Sequence, residues 1–274
     1  MNKTPLIVIS LDALGYCDED IYSNLPFLKE MIEKGTWIRK IESIYPTLTY
    51  PIHSTVVTGR YPIDHGVDNN LLLQPQREVM DWYWDHNYIS GDTIFKNAHK
   101  KGYTIASFSW PVSGEMEIEY NVPEVWTYEE KDFYEHLKEK GSAEFVEELF
   151  NKLGKFNRDA SQKVKDEWMA NATAYTFEKY EPDISFLHLI DVDHQKHVYG
   201  SNHFATKDAI KELDDRLKQM FEKISKVKNL DEINIMLLSD HSQLDTAYPI
   251  RLNKLLADMG LVNVNDDGTV REDW

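Results

Sequence analysis

Four aspartates and two histidines of this chain stand where short apolar runs end. Residues Leu6 to Leu11 run into Asp12. Residues Ile184 to Ile190 run into Asp191, Val192 and Asp193, with His197 four positions beyond Asp193. Residues Ile233 to Ser239 run into Asp240 and His241. Carboxylate and imidazole together suit a hard or borderline divalent cation such as zinc, manganese or iron. Each piece alone has a plainer explanation. An aspartate after a strand is a ready helix N-cap, and Asp193 with His197, or Asp240 with His241, would serve in a solvated turn. Recurrence at three strand ends is what points to a metal centre.

A fourth segment, residues 45–67, carries a hydroxyl that such a centre could use. Pro51 suits the first turn of a helix, so Thr49 falls at or near its N-terminus. Free backbone N–H groups there favour an anion. A hydroxyl at that point can attack phosphorus once a metal lowers its pKa. The alternative is that Thr49 only caps the helix.

These groups need a scaffold that brings distant strand ends together. The apolar runs Pro5–Leu11, Tyr103–Trp110, Ile184–Ile190 and Ile233–Leu238 have strand length. They lack in/out alternation, which predicts strands covered on both faces. Helical spacing is read over Asp20–Lys34, Asp92–Lys101, Thr206–Lys226 and Pro249–Met259. Strands alternating with helices predict an α/β fold, its mostly parallel sheet flanked by helices on both faces. In such sheets ligands bind at the C-terminal edge of the strands, where the aspartates and histidines fall. Residues 68–90, centred on Trp82, Tyr83 and Trp84, read as a loop near the sheet rim; these aromatics pack the loop against the domain or, with Tyr50, stack a nucleobase or aryl group, packing being the plainer reading. Residues 127–180 read as a strand-free helical cap or insertion. At the C-terminal end, Leu261–Val264 reads as a strand, Asn265–Gly268 as a turn and Thr269–Val270 as a return strand. The expectation is a single domain over 1–274, incomplete at that end.

Composition narrows the partners. The chain has 274 residues, with 47 acidic against 30 basic ones and a formal net charge of −17. It has no basic run of the kind a duplex nucleic-acid binder needs, and the same balance disfavours an anionic membrane surface. A small anionic substrate would need a local positive charge to enter this field, and bound metal cations would supply it. The single cysteine, Cys17, excludes an intramolecular disulfide and a thiolate-rich zinc site. The short N-terminal apolar run reads as a strand rather than a signal peptide, so a cytoplasmic location is expected. No glycine-rich phosphate loop, Gly-x-Ser-x-Gly elbow, His-Glu-x-x-His or Cys-x-x-Cys motif is present.

Taken together, the motifs resemble those of the alkaline phosphatase superfamily, in its nucleotide pyrophosphatase/phosphodiesterase branch. The resemblance rests on Leu11-Asp12-Ala13, on Pro46-Thr47-Leu48-Thr49-Tyr50-Pro51, on Val57-Thr58-Gly59, on His65-Gly66-Val67 and on Asn69-Asn70. It continues through Asp193, His197, Tyr199 and Gly200 to Ser239-Asp240-His241. It implies an alkaline-phosphatase-like fold and two divalent metal ions, most simply zinc. Thr49 would be the nucleophile. Asp12, Asp240 and His241 would hold one zinc, which also engages Thr49; Asp193 and His197 would hold the other. Asn70 would donate to a non-bridging phosphate oxygen. The implied reaction is hydrolysis of phosphodiester or nucleotide pyrophosphate bonds through a phospho-threonine, on a small phosphate-ester or nucleotide substrate.

The sequence departs from the family pattern in three places. Ile52 follows Pro51 where the branch often has asparagine. Ser242 replaces the glycine after Asp-His. The family's second metal takes one more histidine from a later segment, and no histidine follows His241 in this sequence. His188, His194 and His203 are the histidines that could substitute, each with a structural or exposed role as its plainer reading. Two other functions stay open: a phosphonate or phosphate-monoester hydrolase on the same site, and a truncated, non-catalytic metal- or anion-binding member. The absence of a second cationic group beside Thr49, which would mark a monoester site, favours the diester.

Overall fold

All four expected apolar runs become strands of one parallel sheet. They are β1 (Leu6–Leu11), β2 (Ile105–Phe108), β4 (Ile184–Leu189) and β5 (Asn234–Leu238). The sequence reading missed β3 (Tyr120–Val122), whose three residues are too short to register as an apolar run. The order across the sheet is β3-β2-β4-β1-β5, and every pairing is parallel. The computed structural model describes residues 3–74, 77, 79–125, 132–156, 159–263 and 265.

The helices are α1 (Glu19–Tyr22), α2 (Pro26–Lys34), α3 (Thr49–Thr58), α4 (Pro62–His65), α5 (Ile94–Lys100), α6 (Phe133–Lys140), α7 (Ala143–Leu153), α8 (Gln162–Tyr180), α9 (Asp191–Tyr199), α10 (Phe204–Ile224) and α11 (Leu252–Asp258). Two elements differ from expectation. The single helix expected over Asp20–Lys34 is two, because Pro26 cannot continue α1 and instead opens α2. Asp214 of α10 caps the new N-terminus, its carboxylate accepting from Phe27 N at 3.1 Å and Leu28 N at 2.7 Å. The strand expected from Leu261 is not formed: Leu261 and Val262 are bends and Asn263 is irregular. The expected return strand, Thr269–Val270, lies outside the described residues. The chain packs as two units, Met1–Gln243 and Leu244–Trp274; the first holds the whole sheet, and the second carries α11.

Alternation along the strands explains their unbroken apolar character. Ile7, Ile9 and Leu11 of β1 join Phe108, Leu187 and Leu189 in one cluster, closed by residues of α7, α8 and α10 such as Leu149, Phe177 and Leu217. Val8 faces the other way, with Ile105, Phe186 and residues Tyr50 and Val57 of α3. Burying such a side chain contributes about 1.5–3 kcal/mol relative to leaving it in water. Two positions on the α3 face forgo that gain: Ser10 of β1 and His188 of β4 are fully buried polar residues near the C-terminal strand ends. The expectation of two covered faces fails for β5, an edge strand whose Met236 is 52% exposed.

The connections place a crevice between β1 and β4. From β1 the chain leaves towards β2, and from β4 it crosses to β5 on the other side of β1. Strand order reverses there, which is where open α/β sheets bind ligands. The register aligns Leu11 with Leu189 and Ser10 with Leu238. Asp12 and Asp240 therefore leave the sheet at one level, and Asp193 follows β4 in the first turn of α9. No described helix is long and apolar enough to cross a membrane.

Candidate metal centre

Asp12 directly follows β1, and its N–H donates to Leu189 O at 2.9 Å, continuing the ladder. The chain then turns sharply, with Ala13 in the left-handed region at φ 57°. Ala13 N–H donates to Asp240 Oδ1 at 3.2 Å, and the same oxygen accepts from His241 N at 2.9 Å. Asp240 Oδ2 is left facing the crevice. Gly15 lets the loops after β1 and β5 meet, since a Cβ there would lie 2.2 Å from Ser242 Oγ.

Thr49 is the first residue of α3, after Leu48 in extended conformation, as Pro51 predicts. Asn70 accepts from Tyr50 N through Oδ1 at 3.0 Å. That bond fixes the amide's orientation and leaves its NH₂ group as the donor. Asp193 and His197 occupy successive turns of α9, with His197 Nε2 at 3.5 Å from Asp193 Oδ2.

The structure brings the first expected ligand set together. His241 Nε2 lies 3.3 Å from Thr49 Oγ1, 3.4 Å from Asp12 Oδ1 and 3.4 Å from Asp240 Oδ2. Four ligands at 2.0–2.1 Å around a tetrahedral zinc stand about 3.3–3.4 Å from one another. Three edges of such a tetrahedron thus meet at His241 Nε2. The second pair adjoins it: ligand atoms of Asp12, Asp193 and His241 all lie within 4.8 Å of one another. Asp12 Oδ1, Asp240 Oδ2 and Asp193 Oδ1 are buried without a hydrogen-bond partner. Buried carboxylate oxygens rarely remain so, and here two of them lie 3.4 Å from His241 Nε2 with the Asp193 carboxylate adjoining, so the residues fit a divalent cation. His197 is the outlying member. Its side chain is 65% exposed, and its ring nitrogens lie 3.1 and 3.2 Å from Gln243 Nε2.

The electrostatics agree. Burial, then the neighbouring Asp240, pushes the Asp12 carboxyl well above its ordinary range. Burial also raises Asp193, against the pull of His197 and His241. Burial withholds solvation from these carboxylates; a cation bound beside them favours their ionised form, and binding then releases protons.

Beneath the cluster lie two histidines whose roles the sequence did not reveal. His188 donates through Nε2 to Asp12 Oδ2 at 3.0 Å, and through Nδ1 to Ser109 O at 3.1 Å with Glu124 Oε2 at 3.4 Å. Burial opposes a charge on this ring, but Asp12 and Glu124 outweigh it and hold its pKa well above the usual value. With both nitrogens facing acceptors, His188 orients Asp12 and has no lone pair to offer a metal. His53 donates from Nδ1 to Thr49 O at 2.7 Å, while Nε2 accepts from Ser10 Oγ at 2.9 Å. Burial and the nearby His188 push its pKa down to about 3, so the ring is neutral. Of the other candidate substitutes, His194 is exposed. His203 caps α10, its Nδ1 accepting from Ala205 N at 3.2 Å. Trp82 and Tyr83 pack against the α3-side core, with Trp82 5.2 Å from Tyr50 between ring centroids.

Comparison with known proteins places this geometry in a family. The profile described as type I phosphodiesterase / nucleotide pyrophosphatase matches residues 6–272. Human ectonucleotide pyrophosphatase/phosphodiesterase family member 1 is 25% identical over 276 residues, 95% of this chain and 26% of that protein. The venom phosphodiesterase of Macrovipera lebetinus is 26% identical over 254 residues, covering 88% of this chain and 26% of its own. This chain thus spans about a quarter of the length of these two relatives. Murine ectonucleotide pyrophosphatase/phosphodiesterase 5, solved as an inactive threonine-to-alanine variant with AMP, superposes with a TM-score of 0.64 at 17% identity. The match covers 89% of this chain and 59% of that one. Phosphonoacetate hydrolase from Sinorhizobium meliloti 1021, solved with phosphonoacetate, gives 0.65 at 18% identity, covering 94% and 62%. At such identities both structures speak for the fold: an α/β, alkaline-phosphatase-like sheet. With the profile matching nearly the whole of the given sequence, the chain belongs to the type I phosphodiesterase / nucleotide pyrophosphatase family.

Proposed function

We propose that the chain carries the catalytic centre of a metal-dependent hydrolase of phosphodiester or nucleotide pyrophosphate bonds, with Thr49 as nucleophile. The observation that carries this reading is the convergence of Thr49 Oγ1, Asp12 Oδ1 and Asp240 Oδ2 on His241 Nε2 at 3.3–3.4 Å. In this reading Asp12, Thr49, Asp240 and His241 hold one divalent cation and Asp193 with His197 contribute to a second, zinc being the best fit to the donor set. Such cations, when bound, neutralise phosphoryl oxygens and favour the alkoxide of Thr49.

The chain's own residues do the rest. Thr49 Oγ gives up its proton to solvent and forms a bond to phosphorus as the ester or anhydride P–O bond on the opposite side breaks, and the leaving oxygen departs with its electron pair. Water then attacks phosphorus from the vacated side and loses a proton, while the Thr49 Oγ–P bond breaks and Thr49 Oγ is reprotonated. His53, through Thr49 O, and the Ile52 N–H bond to Leu48 O fix the first turn of α3 so that the hydroxyl stays on the cluster. The NH₂ group of Asn70 donates to a non-bridging oxygen. The AMP in the murine relative's structure supports a nucleotide as one substrate class.

A substrate panel tests this reading: bis-p-nitrophenyl phosphate, p-nitrophenyl phosphate and phosphonoacetate, on the parent and on Thr49→Ala. Diester hydrolysis that exceeds the other two and is lost in Thr49→Ala is expected. Preferential release of phosphate from the monoester, or C–P cleavage of phosphonoacetate, would replace the diesterase reading with one of the other hydrolases.

A further inference from the structure

Helix α9 carries Asp193 and His197 yet has little apolar grip on the fold. Val192 is its one buried hydrophobic residue, while Val198 and Tyr199 are 54% and 53% exposed. Hydrophobic burial therefore does not set the rotation of the helix about its axis, and that rotation decides where Asp193 points. Lys196, three positions from Asp193, lies on the adjoining part of the same face. Its side chain is fully buried, and Nζ donates to Ala13 O at 2.8 Å and to Asp18 Oδ2 at 2.6 Å.

The groups it grips belong to the turn that carries Asp12. Ala13 is held at φ 57°, a left-handed conformation unfavourable for a residue with a Cβ. Its carbonyl takes the Lys196 bond and its N–H binds Asp240 Oδ1. Asp18 accepts in addition from Gly15 N at 2.9 Å, which closes the turn from below. One ammonium thus ties α9, which follows β4, to the turn that follows β1, and that turn holds Asp240 after β5.

We infer that Lys196 is a positioning residue for the metal centre: its bonds to Ala13 and Asp18 set the rotation of α9 that aims Asp193 at Asp12, and hold the Ala13 turn that fixes Asp240. The inference rests on reading the Asp/His cluster as a metal centre. A buried ion pair need not stabilise a fold, and replacing both partners by uncharged groups of similar volume is often neutral. Positioning and stability can therefore be separated.

The test is the double variant Lys196→Met/Asp18→Asn, in which the side-chain carbonyl introduced at position 18 keeps an acceptor for Gly15 N. It should unfold within a few degrees of the parent. Its Zn²⁺ affinity, measured by chelator competition, should fall tenfold or more, the scale seen when residues that orient metal ligands are removed. The visible spectrum of the Co²⁺-loaded protein should change, and amide exchange at residues 12–15 and 191–197 should quicken in the metal-free state. A folded double variant with the parent's affinity and Co²⁺ spectrum would overturn the inference and leave the metal centre standing. A parent that binds no Zn²⁺ would remove the metal centre itself, and this role with it. Should the double variant not fold, Asp18→Asn alone is the second variant: it keeps a side-chain oxygen for Gly15 N and Lys196 Nζ and removes the carboxylate charge. A loss of threefold or more in affinity is expected, and unchanged affinity overturns the inference.

Discussion

Asp166 of α8 offers the sharpest quantitative test of how α9 is held. Ile190, the N-cap of α9, supplies no side-chain cap. The cap comes instead from across the fold: Asp166 Oδ2 accepts from Ile190 N at 2.9 Å and from Asp191 N at 2.8 Å, and Oδ1 accepts from Gln162 Nε2 at 3.1 Å. Asp166 is 2% exposed, so water cannot replace it. In Asp166→Ala two helix N-terminal donors lose their acceptor, each costing about 1–3 kcal/mol. Part of that is returned, because burial holds the Asp166 carboxyl above its ordinary pKa and the fold does not profit from its charge. A net loss of about 3 kcal/mol follows. For a domain of this size that is about 6–12 °C in Tm. Asp166→Asn keeps an oxygen for both N–H groups and drops only the unprofitable charge, so it should cost about 1 kcal/mol or less. Thermal unfolding by circular dichroism reads the global effect, and amide exchange at residues 190–194 reads the local one. Equal destabilisation by the two substitutions, or an alanine variant within about 2 °C of the parent, would show that Asp166 does not cap α9.

Three further outcomes are expected. His53 is neutral in the fold down to a pKa of about 3 against 6.5 when free, so its contribution to stability is complete above pH 6.5 and is lost as pH falls. Between pH 7 and 5 the metal-free parent should lose about 2 kcal/mol that His53→Asn does not lose; parallel pH profiles in urea unfolding would contradict this. Removing the cation between Asp12 and Glu124 by His188→Leu should destabilise the metal-free protein by about 3–5 kcal/mol, and a loss under about 1 kcal/mol would mean that His188 is not the charge that balances them. Zn²⁺ binding should release protons, because burial holds the carboxyls of Asp12 and Asp193 above their usual range. Calorimetry in two buffers of different ionisation enthalpy measures that release, and identical heats would show that the carboxyls were already ionised.

Much of the frame is legible because local signals carry it. Four apolar runs of strand length become β1, β2, β4 and β5, and Pro51 correctly places Thr49 at the start of α3. The three strand ends can be compared without knowing the sheet order, since each ends in an aspartate. What stays hidden depends on long-range contact. Lys196 looks like one more surface lysine of a charged helix until the turn at Ala13 lies beneath it. His53 and His188 meet with ring centroids 4.5 Å apart, although one lies on α3 and the other on β4. His188 does leave a trace, being a histidine inside a mostly apolar strand. Asp166 leaves none, because its function is set by the helix terminus it faces and not by its neighbours in sequence. The division of Asp20–Lys34 at Pro26 has a local signal in the proline itself, which the apolar spacing across it masks.

The central claim is that Thr49 forms a covalent bond to phosphorus within the Asp12, Asp240 and His241 cluster. Rapid acid quenching of the zinc-loaded protein during turnover of a nucleotide diester, followed by peptide mass spectrometry, tests it directly. A phosphoryl or nucleotidyl adduct on Thr49, absent from Thr49→Ala, is the expected result. Turnover that persists undiminished in Thr49→Ala, with no adduct on the parent, would contradict the account.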